Sequence, residues 1–155
     1  MAFYITSPLF TNGQAIPQRF ARGGENVSPP LVWSGAPPGT RSFVLLMEDA
    51  MGPWPYWAAH GITGERLPEN AGAASGPLRH GVNRYGNACY DGPEPPPDEV
   101  FHPYRFRLGA LRSERLDVPD AIPAFELWAA AEPHMLGECD LIGLYSRLDP
   151  TAQVR

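Results

Sequence analysis

The chain has 155 residues, 43% of them hydrophobic, and a formal net charge of −5, which is enough material for one domain over residues 1–155 with a core that needs no staples. That acidic balance offers no broad basic field and argues against nucleic acid or an anionic membrane surface as partner. The 12 basic residues are all arginines, which excludes Schiff-base and P-loop lysine chemistry, and 19 prolines with 16 glycines point to short elements and many turns, hence an all-β or β-rich fold.

The opening stretch, Met1 to Phe10, lacks the basic and apolar segments and the cleavage site of a signal peptide. No run approaches the ~18 apolar residues of a membrane span. A soluble, cytoplasmic protein without integral membrane association is expected. Short extended pieces pass through Gly13 and Pro17, a turn at Gly23–Asn26 precedes Ser28–Trp33, and Gly35–Gly39 makes another turn. Arg41–Asp49 follows as the clearest strand, apolar through its centre and suited to burial on both faces. Trp54–Ile62 is a second strand candidate, weakened by Ala58-Ala59, and Glu65–Arg79 reads as a surface loop.

His102–Leu111 alternates, with Tyr104, Phe106, Leu108 and Ala110 on one face and Arg105 and Arg107 on the other. The spacing predicts a helix over Asp120–Glu132, with Pro123 in its first turn and Pro133 ending it. Cys139–Arg147 reads as a closing strand, leaving a tail expected to fray. Cys89 and Cys139 have no metal-ligand spacing and are expected as free thiols.

The most informative stretch is Tyr90-Asp91-Gly92-Pro93-Glu94-Pro95-Pro96, followed by Phe101-His102-Pro103-Tyr104-Arg105-Phe106. Gly92 can take backbone angles closed to other residues, and Pro93, Pro95 and Pro96 fix φ and remove amide donors, so the segment forms a shaped rim. His102 and Tyr104 share side-chain parity and can converge on one small ligand. Asp91 can cap its own turn or face the ligand.

These pieces, together with Gly24–Trp33, Pro38–Phe43, Gly81-Val82-Asn83-Arg84-Tyr85-Gly86 and Gly143–Arg147, resemble in their order the phosphatidylethanolamine-binding protein family, in its bacterial and archaeal, Raf-kinase-inhibitor-like branch. The resemblance implies a two-sheet antiparallel Greek-key β-sandwich with a few short helices. It also implies a small pocket for phosphate-like or carboxylate-like anions at the edge of the larger sheet. His102 and Tyr104 match the family's His-x-Tyr, Gly92 and Pro93 its Gly-Pro rim, and Asp49 the first acid of its Asp-Pro-Asp-Ala-Pro motif.

The chain departs from that pattern at Glu48-Asp49-Ala50-Met51-Gly52-Pro53 and at Tyr56-Trp57. The loop is shortened, one acid is lost, and Tyr56 stands where the family has a pocket histidine. His60 shares parity with Tyr56 and could partly replace that histidine, or occupy its position in another register. Trp33, Trp54 and Trp57 read as core or rim aromatics, with Trp54 able to line the pocket.

The candidate ligand-binding residues are therefore Asp49, Tyr56, His60, Asp91, Gly92, Pro93, His102 and Tyr104. His102 and the two phenols supply donors, and Asp49 would orient the imidazole and favour its charged form. No nucleophile elbow surrounds Ser28 or Ser42, and no spacing encodes a metal site, although His60, His102 and Asp49 could in principle form a facial set. No cofactor is expected.

Two readings stay open. One is a module that binds a small anion or a phospholipid headgroup, with regulation as its downstream use and a homodimer allowed. The other is an isomerase, lyase or cyclase using His102 as general acid or base, with Asp49 and Tyr56 orienting the substrate.

Overall fold

The computed structural model describes residues 2–147. Among them nine strands run in chain order as β1 Tyr4–Thr6, β2 Gln14–Ala15, β3 Leu31–Ser34, β4 Ser42–Asp49, β5 Pro55–Ile62, β6 Arg66–Leu67, β7 Arg79–His80, β8 His102–Leu111 and β9 Met135–Tyr145. One α-helix, α1 Ala124–Ala131, lies between β8 and β9. The larger sheet has the order β2-β9-β8-β4-β5-β7 and the smaller β1-β3-β6.

The centre of the larger sheet is β4, and its sequence explains why. Phe43, Leu45 and Met47 enter the core shared with Ile5, Leu31, Trp33 and Leu67 of the smaller sheet, whereas Val44 and Leu46 face Leu127, Trp128 and Ala131 of α1. A continuous apolar run is what a strand covered on both faces requires. Each large side chain so buried contributes about 1.5–3 kcal/mol. On β8 the alternating arginines are not simply solvated. Arg105 donates to Glu48 through Nε (3.1 Å) and Nη2 (2.9 Å), and Arg107 lies over the Trp128 ring at 4.4 Å.

Four expectations are corrected. The sheets are not wholly antiparallel, because β2 pairs with β9 in parallel. Gly13 N–H and Ile16 N–H donate to the Ile142 and Leu144 carbonyls, and a side chain at Gly143 would strike Ile16, so the early chain covers what would be an open sheet edge. The helix starts at Ala124 rather than Asp120, since Val82 N–H donates to Ile122 O and Ala124 N–H to Val82 O, which hold residues 122–124 in a bridge. Pro123, with ψ 145°, precedes the helix instead of entering it. The closing strand runs from Met135 to Tyr145, and Leu111 already pairs with Met135. The expected loop 65–79 contains the short strand β6 and ends in β7.

Both cysteines are free. The fraying expected of the tail concerns residues 148–155, which lie outside the described ones. No described helix is long and apolar enough to cross a membrane.

Candidate functional site

One end of the larger sheet gathers the C-terminal end of β4, the start of β5 and the start of β8. Asp49 pairs with Tyr104 in the β4·β8 register, which puts His102, two residues earlier, beside the end of β4. The Asp49 carboxylate accepts from Met51 N–H through Oδ1 (2.8 Å), and its Oδ2 lies 2.7 Å from His102 Nε2. The other ring nitrogen, Nδ1, is held by Glu99. Burial alone would lower the His102 pKa, but the bonds to Glu99 and Asp49 and their charges overcome it and raise the pKa above its ordinary value, so the imidazolium is favoured.

Above this end of the sheet lies a cleft of about 730 Å³. It is lined by Asp49, Tyr56 and His102 at the strand ends, by Met51, Gly52, Trp54 and Arg84, and by Glu94, Pro95, Pro96, Glu99 and Arg147. Arg84 Nη1 donates to the Tyr56 hydroxyl (3.1 Å), and its guanidinium lies 4.4 Å from the centre of the Trp54 ring. Among the described residues Arg84 makes no ion pair. Burial raises the Tyr56 pKa, so its phenol stays protonated and can donate while accepting from Arg84.

The sequence candidates divide by position. Asp49, Tyr56 and His102 line the cleft together. Tyr104 is fully buried behind them, its ring edge-on to Tyr56 at 5.3 Å and 5.2 Å from His102. Among the described residues its hydroxyl has no well-formed hydrogen bond, and burial drives its pKa up.

His60 is elsewhere. The β4·β5 register shifts between Met47–Trp57 and Glu48–Pro55, a bulge at Tyr56 that turns Tyr56 and Trp57 into the same core, while Ala58 faces α1. The expectation that residues 56, 58 and 60 share one face therefore fails. His60 lines a separate cavity of about 230 Å³ with His80, Arg79 and Asp120, so it does not join His102 and Asp49 in a facial set. No cluster of three or more His, Cys, Asp or Glu among the described residues is arranged to hold a metal ion.

Asp91 is a buried hub. Its carboxylate accepts from Asn26 Nδ2 (2.9 Å), Asn83 Nδ2 (2.7 Å) and Asn87 Nδ2 (3.0 Å), with Arg22 Nε at 3.5 Å. The same Asn83 amide lies 3.2 Å from Tyr56 O, and Arg84 N–H donates to Pro55 O (2.9 Å), so the hub sets the height of Tyr56 and Arg84 at the cleft. Gly92 is required by close approach rather than by φ. A Cβ there would overlap the Phe20 carbonyl oxygen and lie 2.9 Å from Ala21 Cα, while Gly92 N–H donates to Asn26 Oδ1 (2.7 Å). Pro93 lines an adjoining cleft of about 240 Å³, which shares Glu94 and Arg147 with the larger one.

Sequence reasoning missed Arg84, Glu94, Glu99 and Arg147. Arg84 stood inside the Gly81–Gly86 motif, and an acid three residues before the histidine was the available signal for Glu99.

The chain matches the family described as phosphatidylethanolamine-binding protein over residues 6–146. A relative from Methanothermobacter thermautotrophicus, named only UPF0098 protein, is 37% identical over 152 residues, covering 92% of this chain and 98% of the relative. Another UPF0098 protein, from Aquifex aeolicus, is 30% identical, covering 92% and 88% respectively. The crystal structure of Escherichia coli YbcL, described as a new member of the mammalian PEBP family, superposes with a TM-score of 0.88 at 26% identity, covering 94% of this chain and 99% of YbcL. With the matched family spanning the strands, the Gly-Pro rim and the His-x-Tyr strand alike, the chain belongs to the phosphatidylethanolamine-binding protein family.

Proposed function

We propose that this protein binds a small anionic group, a phosphate or carboxylate, free or carried on a phospholipid headgroup, in the cleft between Arg84 and His102. The observation that carries this reading is Arg84. Its guanidinium faces the cleft, is stacked on Trp54, and has no carboxylate partner among the described residues. A planar fork held in place by an aromatic ring suits bidentate recognition of phosphate or carboxylate. The Tyr56 O–H supplies a further donor, and the raised His102 pKa favours a charged ring between the Asp49 and Glu99 carboxylates. The family's description, phosphatidylethanolamine-binding, points to the same chemistry on a lipid.

The enzyme reading finds less support. Both His102 nitrogens are engaged by carboxylates, so the ring would serve as general acid or base only once Glu99 has moved off Nδ1. The test is a titration with inorganic phosphate followed by the side-chain Nε–H resonances of the arginines. Binding in the cleft shifts Arg84, and shifts confined to arginines remote from the cleft, such as Arg41 and Arg112, would remove the proposal.

A further inference from the structure

We infer that Glu99 is a tethered stand-in for the ligand's anionic group, and that by holding the His102 subsite it decides which ligands the cleft accepts. The inference rests on the cleft being an anion site, and it concerns which position the anion takes.

The two carboxylates treat the imidazole differently. Asp49 belongs to a strand, its side chain is 11% exposed, and its second oxygen is held by Met51 N–H, so it is a fixed partner for Nε2. Glu99 lies outside any strand, its side chain is 40% exposed, and its carboxylate is held by His102. Nδ1 is therefore the ring position whose partner can exchange, and Glu99 occupies it.

The backbone around Glu99 is built for this placement. Glu99 N–H donates to Pro96 O (3.1 Å), and Ser146 Oγ donates to Glu99 O (3.2 Å). Phe101, at φ 58°, adopts the left-handed region that a residue with a bulky side chain rarely enters. Its reversal of the chain brings Glu99 back over the ring of His102 three residues later, and local strain of this kind persists where the surroundings hold it. The main chain is thus pinned while the side chain, with three rotatable bonds, can swing into water.

The exchange is nearly balanced for an anion and not for other ligands. A phosphate or carboxylate replaces one charge-assisted bond to the imidazolium with another, and the half-exposed Glu99 carboxylate regains its hydration. A neutral ligand offers no such replacement and leaves Glu99 in place. A neighbouring acid thus raises selectivity for anions, although by charge alone it would repel them.

The experiment is calorimetric titration of wild type, Glu99→Gln and Glu99→Asp with inorganic phosphate and, separately, with glycerophosphoethanolamine. Gln keeps the size but loses the charge, whereas Asp keeps the charge on an arm one methylene shorter. Vacating the subsite predicts tighter binding to both variants, about tenfold for Glu99→Gln, equivalent to about 1.4 kcal/mol. Tightening for phosphate alone assigns the subsite to a free anion, and tightening for the glycerophosphoester alone assigns it to a headgroup. Tightening in Glu99→Gln without any in Glu99→Asp means that Glu99 acts only by its charge, and overturns the inference. Wild-type binding that neither variant improves overturns it while leaving the anion cleft intact. Absence of binding in all three proteins overturns both.

Discussion

Replacing Asp91 by Asn should loosen the hub that supports the cleft, although Asp91 does not itself line it. In the wild type Oδ2 accepts from Asn83 Nδ2 at 2.7 Å and Asn87 Nδ2 at 3.0 Å, Oδ1 accepts from Asn26 Nδ2 at 2.9 Å, and Arg22 Nε stands 3.5 Å away. An asparagine at 91 retains one acceptor and turns an NH2 toward donors that have no lone pair to offer. Hydrogen bonds to charged groups are worth about 1.5–3 kcal/mol each, and a buried donor left unsatisfied costs about 1–3 kcal/mol. Losing the pair at Oδ2 therefore destabilises by about 3–6 kcal/mol.

The assay is urea unfolding at neutral pH, with anion affinity measured on the folded fraction. Burial alone would raise the Asp91 pKa, but bonds from Asn87, Asn26 and Asn83 and the charge of Arg22 bring it below its ordinary value. Its stabilisation is thus present above the ordinary carboxyl pKa and lost as pH falls through the folded value, and the variant lacks that part of the acid dependence. A variant as stable as wild type within about 0.5 kcal/mol would refute the hub, since that is the range of an ordinary surface substitution. A folded, destabilised variant with wild-type anion affinity would show that the hub does not set the height of Tyr56 and Arg84.

Gly92→Ala drives a Cβ into the Phe20 carbonyl, a backbone atom that cannot rotate away, so destabilisation of about 3 kcal/mol or more is expected by thermal or urea unfolding, and a neutral result would contradict the close approach. His80 has its pKa lowered to about 4 by burial and then by His60. Its neutral form is favoured in the fold, so stability falls as pH drops from the ordinary value of 6.5 towards 4, where the unfolded chain takes the proton first. His80→Gln should flatten that limb of the profile by on the order of 2 kcal/mol. His102 acts in the opposite sense. Its raised pKa stabilises the fold fully below its ordinary value, and that contribution is lost as pH rises through the folded value.

Local pattern sufficed where neighbours along the chain decide the outcome. The strands β4 and β8 were legible because an apolar run and a clean alternation each have one physical solution, and β8 begins at His102 as read. Partners distant in sequence decided the rest. Residues 120–123 have helix-compatible composition, yet Val82 claims their backbone before the helix can. The parity rule placed Tyr56 with His60, and one bulge opposite Glu48 separates them into different cavities.

At the site, the triplet Asp49, Tyr56 and His102 was visible as motif positions. Arg84 was visible only as part of a motif, because its stacking on Trp54 depends on where the shortened loop ends. Glu99 reaches His102 through the left-handed turn at Phe101, a conformation that a phenylalanine does not announce. Gly92 was recognised as necessary, but for the wrong cause, since its constraint is the Phe20 carbonyl rather than a positive φ.

The account stands most directly on the affinity of Arg84→Met for inorganic phosphate, measured beside wild type by calorimetry. Methionine retains contact with Trp54 and removes the guanidinium charge, so phosphate binding should weaken about tenfold or more, about 1.4 kcal/mol, with the fold unchanged. Phosphate bound by Arg84→Met with wild-type affinity would contradict the account.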